Sequence, residues 1–264
     1  MMRLLVRVVL VALFTFLPLP IIVVAISSLT ASGYFTVPLQ SLSLRWYLEF
    51  FTDEQWLHLL AISAILAVVV ALLSTTIALL AALVIDRYRF AGRGVFESLI
   101  MFPLVFPNAA LGVAFLGLLG LLNISGTYLG IALAHVIITL PFAYRPILNS
   151  LRKLDPVMEE ASMSLGATPW QVLRTVTLPM IRPGLISAFL FCFIVSFDEA
   201  TITVFLIAPD VNTLPVRILT QIQESASPVI AAIATFLIAL TISIVFLLER
   251  TVGLELFAAP ERGR

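Results

Sequence analysis

The chain is poor in the residues that do chemistry. It has one cysteine, Cys192, and two histidines, His58 and His135, far apart along the sequence. A single cysteine excludes an internal disulfide and any paired-thiol redox or zinc motif. Two scattered histidines leave little from which to build a metal centre, so no metal-ligating and no catalytic residue is assigned. Lysine is scarcer still. Lys153 stands alone, and Arg152 rather than glycine precedes it. A phosphate-binding loop needs glycine directly before its lysine, so ATP chemistry by that route is excluded and no cofactor is expected in this chain. Charged residues make up only 11% of the 264 and sum to zero, which gives a polyelectrolyte such as nucleic acid no field to follow.

What fills the space instead is hydrocarbon. The chain is 61% hydrophobic with a mean hydropathy of +1.13, whereas soluble domains are about 45–50% apolar and about 25% charged. Six apolar runs carry the excess, at 8–29, 57–84, 97–120, 128–148, 184–207 and 228–248. Each is long enough to cross a ~30 Å hydrocarbon layer as a helix, and none alternates as a barrel strand would. The expectation is an all-α, multi-pass bundle of six transmembrane helices in contact with lipid, forming one domain over 1–264. The first run is longer than the apolar core of a signal peptide and reads as a retained anchor. Prolines inside the runs are tolerated where neighbouring helices or a water-filled cavity satisfy the freed backbone groups.

With both termini in the cytoplasm, the cytoplasmic side holds Arg3, Arg7, Arg87, Arg89, Arg93, Arg145, Arg152, Lys153, Arg174, Arg182, Arg250, Arg262 and Arg264. The other side keeps only Arg45 and Arg217 of the fifteen basic residues. That asymmetry obeys the positive-inside rule and makes the segment between the fourth and fifth helices cytoplasmic. Tyr34, Trp46, Tyr47 and Trp56 then lie on the outer side, where aromatic rings anchor helices at the interface.

The cytoplasmic segment 149–183 reads as helix, break, helix. Asp155 caps a helix with Pro156 at its first position, and Glu159 and Glu160 put negative charge near the positive end of its dipole. Gly166 ends that helix. Thr168 caps a second one, with Pro169 at its first position and Gln171 completing a capping box. The pair Leu178-Pro179 is expected to stop it. Two short helices at an angle make a knob suited to a groove on another protein.

The same segment resembles the EAA loop of bacterial ABC-importer permeases: Glu160-Ala161-Ser162, three residues, Gly166, nine residues, Val176, any residue, then Leu178-Pro179. Ser162 stands where the family pattern has alanine, a small-for-small change. SLRWYLEFF, DRYRFAGR, FPLVFPNAALGVAF, HVIITLPFAYRPI and SFDEATITVFLIAP look like the spermidine/putrescine branch of that family, and its second permease subunit in particular. The resemblance implies the type I importer fold and an inner-membrane location. It implies a coupling role for the seven motif residues and a polyamine or similar cation as solute. It also implies partners: two ABC ATPase subunits carrying ATP and Mg, a second permease subunit of paralogous kind, and an extracytoplasmic solute-binding protein. Another small nitrogen compound or amino-acid-like solute fits the same class.

Asp198 and Glu199 are adjacent acids within the fifth apolar run. An unpaired charge facing lipid is expensive, so at least one of them is expected to face the bundle interior, a cavity or a partner, either along the solute path or as a structural ion pair. On a continuous helix Thr201 falls on the Asp198 side and Thr203 on the Glu199 side. Pro103 and Pro107 bracket an expected kink in helix three, with Asn108 beside it as a further path candidate. Gly112, Gly117 and Gly120 read as packing positions, His135 as a hydrogen-bonded interhelix residue, and Cys192 as a small core residue. A different class, an ion-gradient carrier, would bring internal repeats with paired broken helices; no repeat is evident.

Overall fold

A computed structural model describes residues 2–33, 41–225 and 227–252. Tyr34, Arg262 and Arg264 lie outside the described residues. In chain order the helices are α1 (Met2–Phe16), α2 (Leu19–Ser27), α3 (Arg45–Thr52), α4 (Glu54–Arg87), α5 (Arg93–Met101), α6 (Asn108–Leu121) and α7 (Tyr128–Lys153). They continue with α8 (Pro156–Ser164), α9 (Pro169–Val172), α10 (Leu178–Met180), α11 (Arg182–Phe197), α12 (Leu214–Glu224) and α13 (Pro228–Val252). The only β pairing among the described residues is two isolated bridges, Thr30 with Leu42 and Ala208 with Val211.

Among the described residues four spans are long and apolar enough to cross a membrane: Val9–Ser27, Glu54–Arg87, Tyr128–Lys153 and Pro228–Phe246. Two more are bent pairs, Arg93–Leu104 with Asn108–Leu121 at 107° and Pro169–Met180 with Arg182–Phe197 at 69°. The expected kink of helix three is therefore a right-angled turn. Pro107 takes an extended backbone, proline at that position disfavours helix at Phe106, and Pro103 sits in a 3-10 turn over Phe102–Leu104.

The fifth helix departs from expectation at both ends. Leu178-Pro179 does not stop the preceding helix, because a π turn over Leu173–Thr177 runs directly into α10. The wider π spacing accommodates the missing Pro179 donor, and the chain turns only at Ile181. At the other end α11 stops at Phe197 rather than near residue 207, so Asp198 and Glu199 follow the helix instead of lying within it. Thr201 and Thr203 accordingly do not share helix faces with them.

By internal contacts the chain forms two compact units, Met1–Leu60 with Arg217–Val245, and Ala61–Val216 with Phe246–Arg264. In the first, the Trp46 indole donates to the Thr30 carbonyl at 2.8 Å and the Tyr47 hydroxyl meets Ser28 at 2.7 Å. Arg45 lies over the Trp46 ring at 4.0 Å, and Phe50, Phe51 and Phe236 form an aromatic cluster. These contacts give Trp46 and Tyr47, expected as interface anchors, packing and hydrogen-bonding duties of their own.

The second unit is built around α7 and α11. Along α4, Ala71, Ala78, Ala82 and Ile85 are fully buried at helical spacing, while Leu72, Leu73 and Leu80 stay exposed. Small residues turned inward allow close helix approach and large ones are left for lipid. Gly184 carries the same logic into the α7–α11 contact, where a Cβ would collide with Ser150 and the Pro146 carbonyl. Gly112 lies flat against Phe205, whereas Gly117 and Gly120 have nothing within 4 Å of where a Cβ would be. Of the three expected packing glycines, Gly112 alone has an atom close to its Cβ position among the described residues.

Candidate functional site

Two sites come out of the second unit. The first is the knob over α8 to α10. The Asp155 carboxylate accepts from the Val157 N–H at 3.0 Å. Gly166 adopts a left-handed φ of +89°, its N–H donates to Met163, and the Ala167 N–H donates to Ser162 at 3.2 Å. This pair of bonds is the Schellman closure, which glycine permits without steric cost. The Thr168 N–H then donates to Gln171 Oε1 at 2.7 Å, and the Gln171 N–H donates to the Thr168 hydroxyl at 3.4 Å.

The motif residues divide by direction. Ser162, Val176 and Leu178 are half-buried, and Leu178 packs on the core. Glu160, Ala161, Gly166 and Pro179 are exposed. Beside them stand large apolar side chains that sequence reasoning had not singled out: Leu165 is 90% exposed and Trp170 63%, with Met158 and Met163 also open. Arg87, at the end of α4, ties the knob to the bundle. Its guanidinium donates to Glu159 Oε1 at 2.7 Å and to the Thr177 hydroxyl at 3.2 Å, and Thr177 in turn donates to Glu159. The tie thus uses the neighbour of the motif acid and leaves Glu160 facing outward.

The second site lies where α11 ends. At ~1.5 Å per residue, Asp198 is about 24 Å along the chain from Arg182. Glu199 is buried and Asp198 exposed. Glu199 Oε1 accepts from the Ile202 N–H at 2.8 Å, capping the turn that replaces the helix, and Oε2 accepts from Asn108 Nδ2 at 3.4 Å. The Thr203 hydroxyl donates to the Glu199 carbonyl at 2.9 Å. Asn108 and Thr201 are exposed, and Thr203 is fully buried. Of the five expected path residues the fold joins Asn108, Glu199 and Thr203, and the Thr201 backbone also bonds to the Glu199 carboxylate; Asp198 stands apart from these bonds. His135 enters the same cluster, with its two ring nitrogens 2.9 Å from Ser196 Oγ and 2.8 Å from Thr203 Oγ1. Below it, Thr139 bonds to Ser74 and accepts through its carbonyl from Cys192. Among the described residues no three His, Cys, Asp or Glu side chains converge as metal ligands would.

Residues 74–253 match the family model described as the binding-protein-dependent transport system inner membrane component. The chain belongs to this family. This permease is 35% identical to the putrescine transport system permease protein PotI of Escherichia coli K12, over 85% of its own length and 82% of that protein. It is 28% identical to the spermidine/putrescine transport system permease protein PotC of the same strain, over 89% of its own length and 88% of that protein. A bacterial ABC transporter that imports the acidic polysaccharide alginate shares the fold, with a TM-score of 0.73 at 15% identity over 95% of this chain and 94% of that one. The chain is thus an inner-membrane permease component of an ABC importer with the type I fold, and the ion-gradient carrier falls away.

Proposed function

We propose that this permease forms half of the translocation path of an ATP-driven importer for a small cation, a polyamine such as putrescine or spermidine. Residues 1–264 act as one permease domain with both termini in the cytoplasm. The other half of the path is a paralogous permease. ATP and Mg are held by two separate ATPase subunits, and an extracytoplasmic binding protein delivers the solute. The segment 149–183 is the coupling loop, in which Glu160, Ala161, Ser162, Gly166, Val176, Leu178 and Pro179 shape and present the knob. The acids Asp198 and Glu199 face the solute, with Asn108 and Thr201 beside them on the path and the buried Thr203 behind them.

The observation that carries this reading is the knob itself: Leu165 and Trp170 are exposed on a capped turn, and on the cytoplasmic side proposed here that arrangement costs free energy until a partner covers it. Closure of an ATPase pair around two such knobs would bias the bundle towards an outward-open state, and ATP hydrolysis would release it. In energetic terms the permease is a two-state element that solute and nucleotide both bias.

The test is ATP-dependent uptake of labelled putrescine by the reconstituted complex. Uptake that depends on ATP and on the binding protein is expected; ATP-dependent import of a different solute, with putrescine ignored, overturns the polyamine assignment. Reporter fusions test the orientation. One placed after Arg174 should read cytoplasmic and one near Asp53 external, and an external signal at 174 would remove the basis for ATPase docking.

A further inference from the structure

The role proposed for the acids makes no use of His135, yet this residue is 1% exposed and both ring nitrogens are engaged. The proton on each bond can be assigned. Thr203 has one hydroxyl proton and spends it on the Glu199 carbonyl, so towards His135 it accepts, and Nε2 carries the hydrogen. Nδ1 of the neutral ring then accepts from Ser196. The result is a directed chain from Ser196 through His135 and Thr203 to the backbone of Glu199.

The two ends of that chain differ. Ser196 lies on α11, which its own backbone bonds keep regular, and the turn of α7 that carries His135 is braced by Thr139 and Ser74. The stretch from Asp198 to Thr203 has left the helix. The Nε2–Thr203 bond is a direct tie from α7 to that stretch. The Glu199 carboxylate, held at one oxygen by the Ile202 N–H and shared at the other with exposed Asn108, inherits its place from the tie.

We infer that His135 is a positioning residue for solute selection: through Thr203 it pins the unwound Asp198–Thr203 segment and so fixes where the Glu199 carboxylate meets a cationic solute. The inference rests on the reading that Glu199 faces the solute path. A neutral ring suits this task, because it holds the acid's backbone without adding a positive charge that would repel the solute.

The experiment uses the complete importer in proteoliposomes, with labelled putrescine as probe and complex yield measured on each preparation. Thr203→Val, which keeps the side-chain shape, and His135→Leu should each raise the KM of uptake about fivefold, the size expected for one hydrogen bond. The maximal rate should change less. His135→Gln keeps an N–H donor near the Nε2 position and should return the KM to within about twofold of the parent, because it retains that bond and gives up only the one to Ser196. On a Glu199→Gln background the same changes should leave the KM where it is, since the charge they position is gone. A packing role alone would give effects that persist on that background, and such additivity overturns the inference. A raised KM for Glu199→Gln with no response to Thr203→Val or His135→Leu overturns it while the acid keeps its role. An unchanged KM for Glu199→Gln removes the acid reading and this inference together.

Discussion

At the knob, Leu165 and Trp170 are 90% and 63% exposed, whereas at the end of α11 Glu199, His135 and Thr203 are 8%, 1% and 0% exposed. Large apolar groups face out at the knob, and polar groups are buried at the end of α11. Each inversion is costly by itself, and the two are resolved differently. The inner cluster is satisfied within the chain, since its buried side chains find one another. A fully bonded polar cluster in a low-dielectric setting is rigid and specific. The knob is satisfied in its caps and its tie to Arg87, but its large apolar side chains Leu165 and Trp170 have no such cover within the chain. An internally complete site suits selecting a solute, and an incomplete one suits receiving a force.

The sharpest break in this comparison should come from Gly166→Pro. The native φ of +89° is closed to proline, and the Gly166 N–H that proline would lack donates to Met163. The first knob helix would lose its closure while α4, α7 and α11 keep their packing. Inserted protein with solute-stimulated ATPase and uptake reduced by at least about tenfold is expected, by loss of more than the ~1.4 kcal/mol that corresponds to a decade. Glu160→Lys, which reverses charge on the exposed face at the middle of α8, should weaken stimulation in the same direction by less. Normal stimulation in both would detach the knob from coupling.

Next in size is the inner site. Asp198→Asn with Glu199→Gln keeps volume and most hydrogen bonds while removing charge. Facing a cation at ~4 Å, a charge in an effective dielectric between 80 and 20 contributes about 1 to 4 kcal/mol, so putrescine uptake should fall several-fold or more with the complex still assembled. Poor assembly and lowered thermal stability would instead assign the acids to an ion pair with the partner permease, because a buried pair that loses one member leaves the other uncompensated.

The two sites also differ in how much of them the amino-acid sequence reveals. The knob is written in neighbours: Asp155-Pro156, Gly166, and Thr168-Pro169 with Gln171 are local instructions, and each is seen in the backbone bonds. The apolar runs likewise announced their helices, because lipid demands length and hydrophobicity and little else. The inner cluster is assembled from His135, Ser196, Thr203, Glu199 and Asn108, which come from three separate stretches of chain. Apolar periodicity there continued past Phe197 and gave no sign that α11 would end, since the side chains that replace its backbone bonds act across space. Pro179 misled in the opposite sense: a local stop signal was overridden by the π turn before it. Arg87 was visible only as a topological charge, its partnership with Glu159 lying 72 residues away.

Arg87→Gln should have the smallest effect, and it asks whether the knob is held by its own caps or by its tie to α4. The Arg87 and Glu159 side chains are 33% and 20% exposed, so solvent screens their attraction, and partly exposed pairs contribute up to about 1 kcal/mol. Thr177, fully buried, keeps Glu159 as an acceptor when the guanidinium is gone, and the Asp155, Gly166 and Thr168 bonds are untouched. The variant should therefore lower thermal stability by about 1 kcal/mol or less in 0.1 M salt. The gap should narrow in 1 M salt, where the screening length shrinks to about 3 Å and the parent loses part of the same attraction. Solute-stimulated ATPase should change by no more than about fivefold, the equivalent of ~1 kcal/mol. Melting curves of the purified complex at the two salt concentrations, with ATPase measured alongside, decide it. A loss as large as that of Gly166→Pro would mean that the tie to α4, rather than local capping, transmits motion between knob and bundle, and that the knob's independence as a folded unit ends at Arg87.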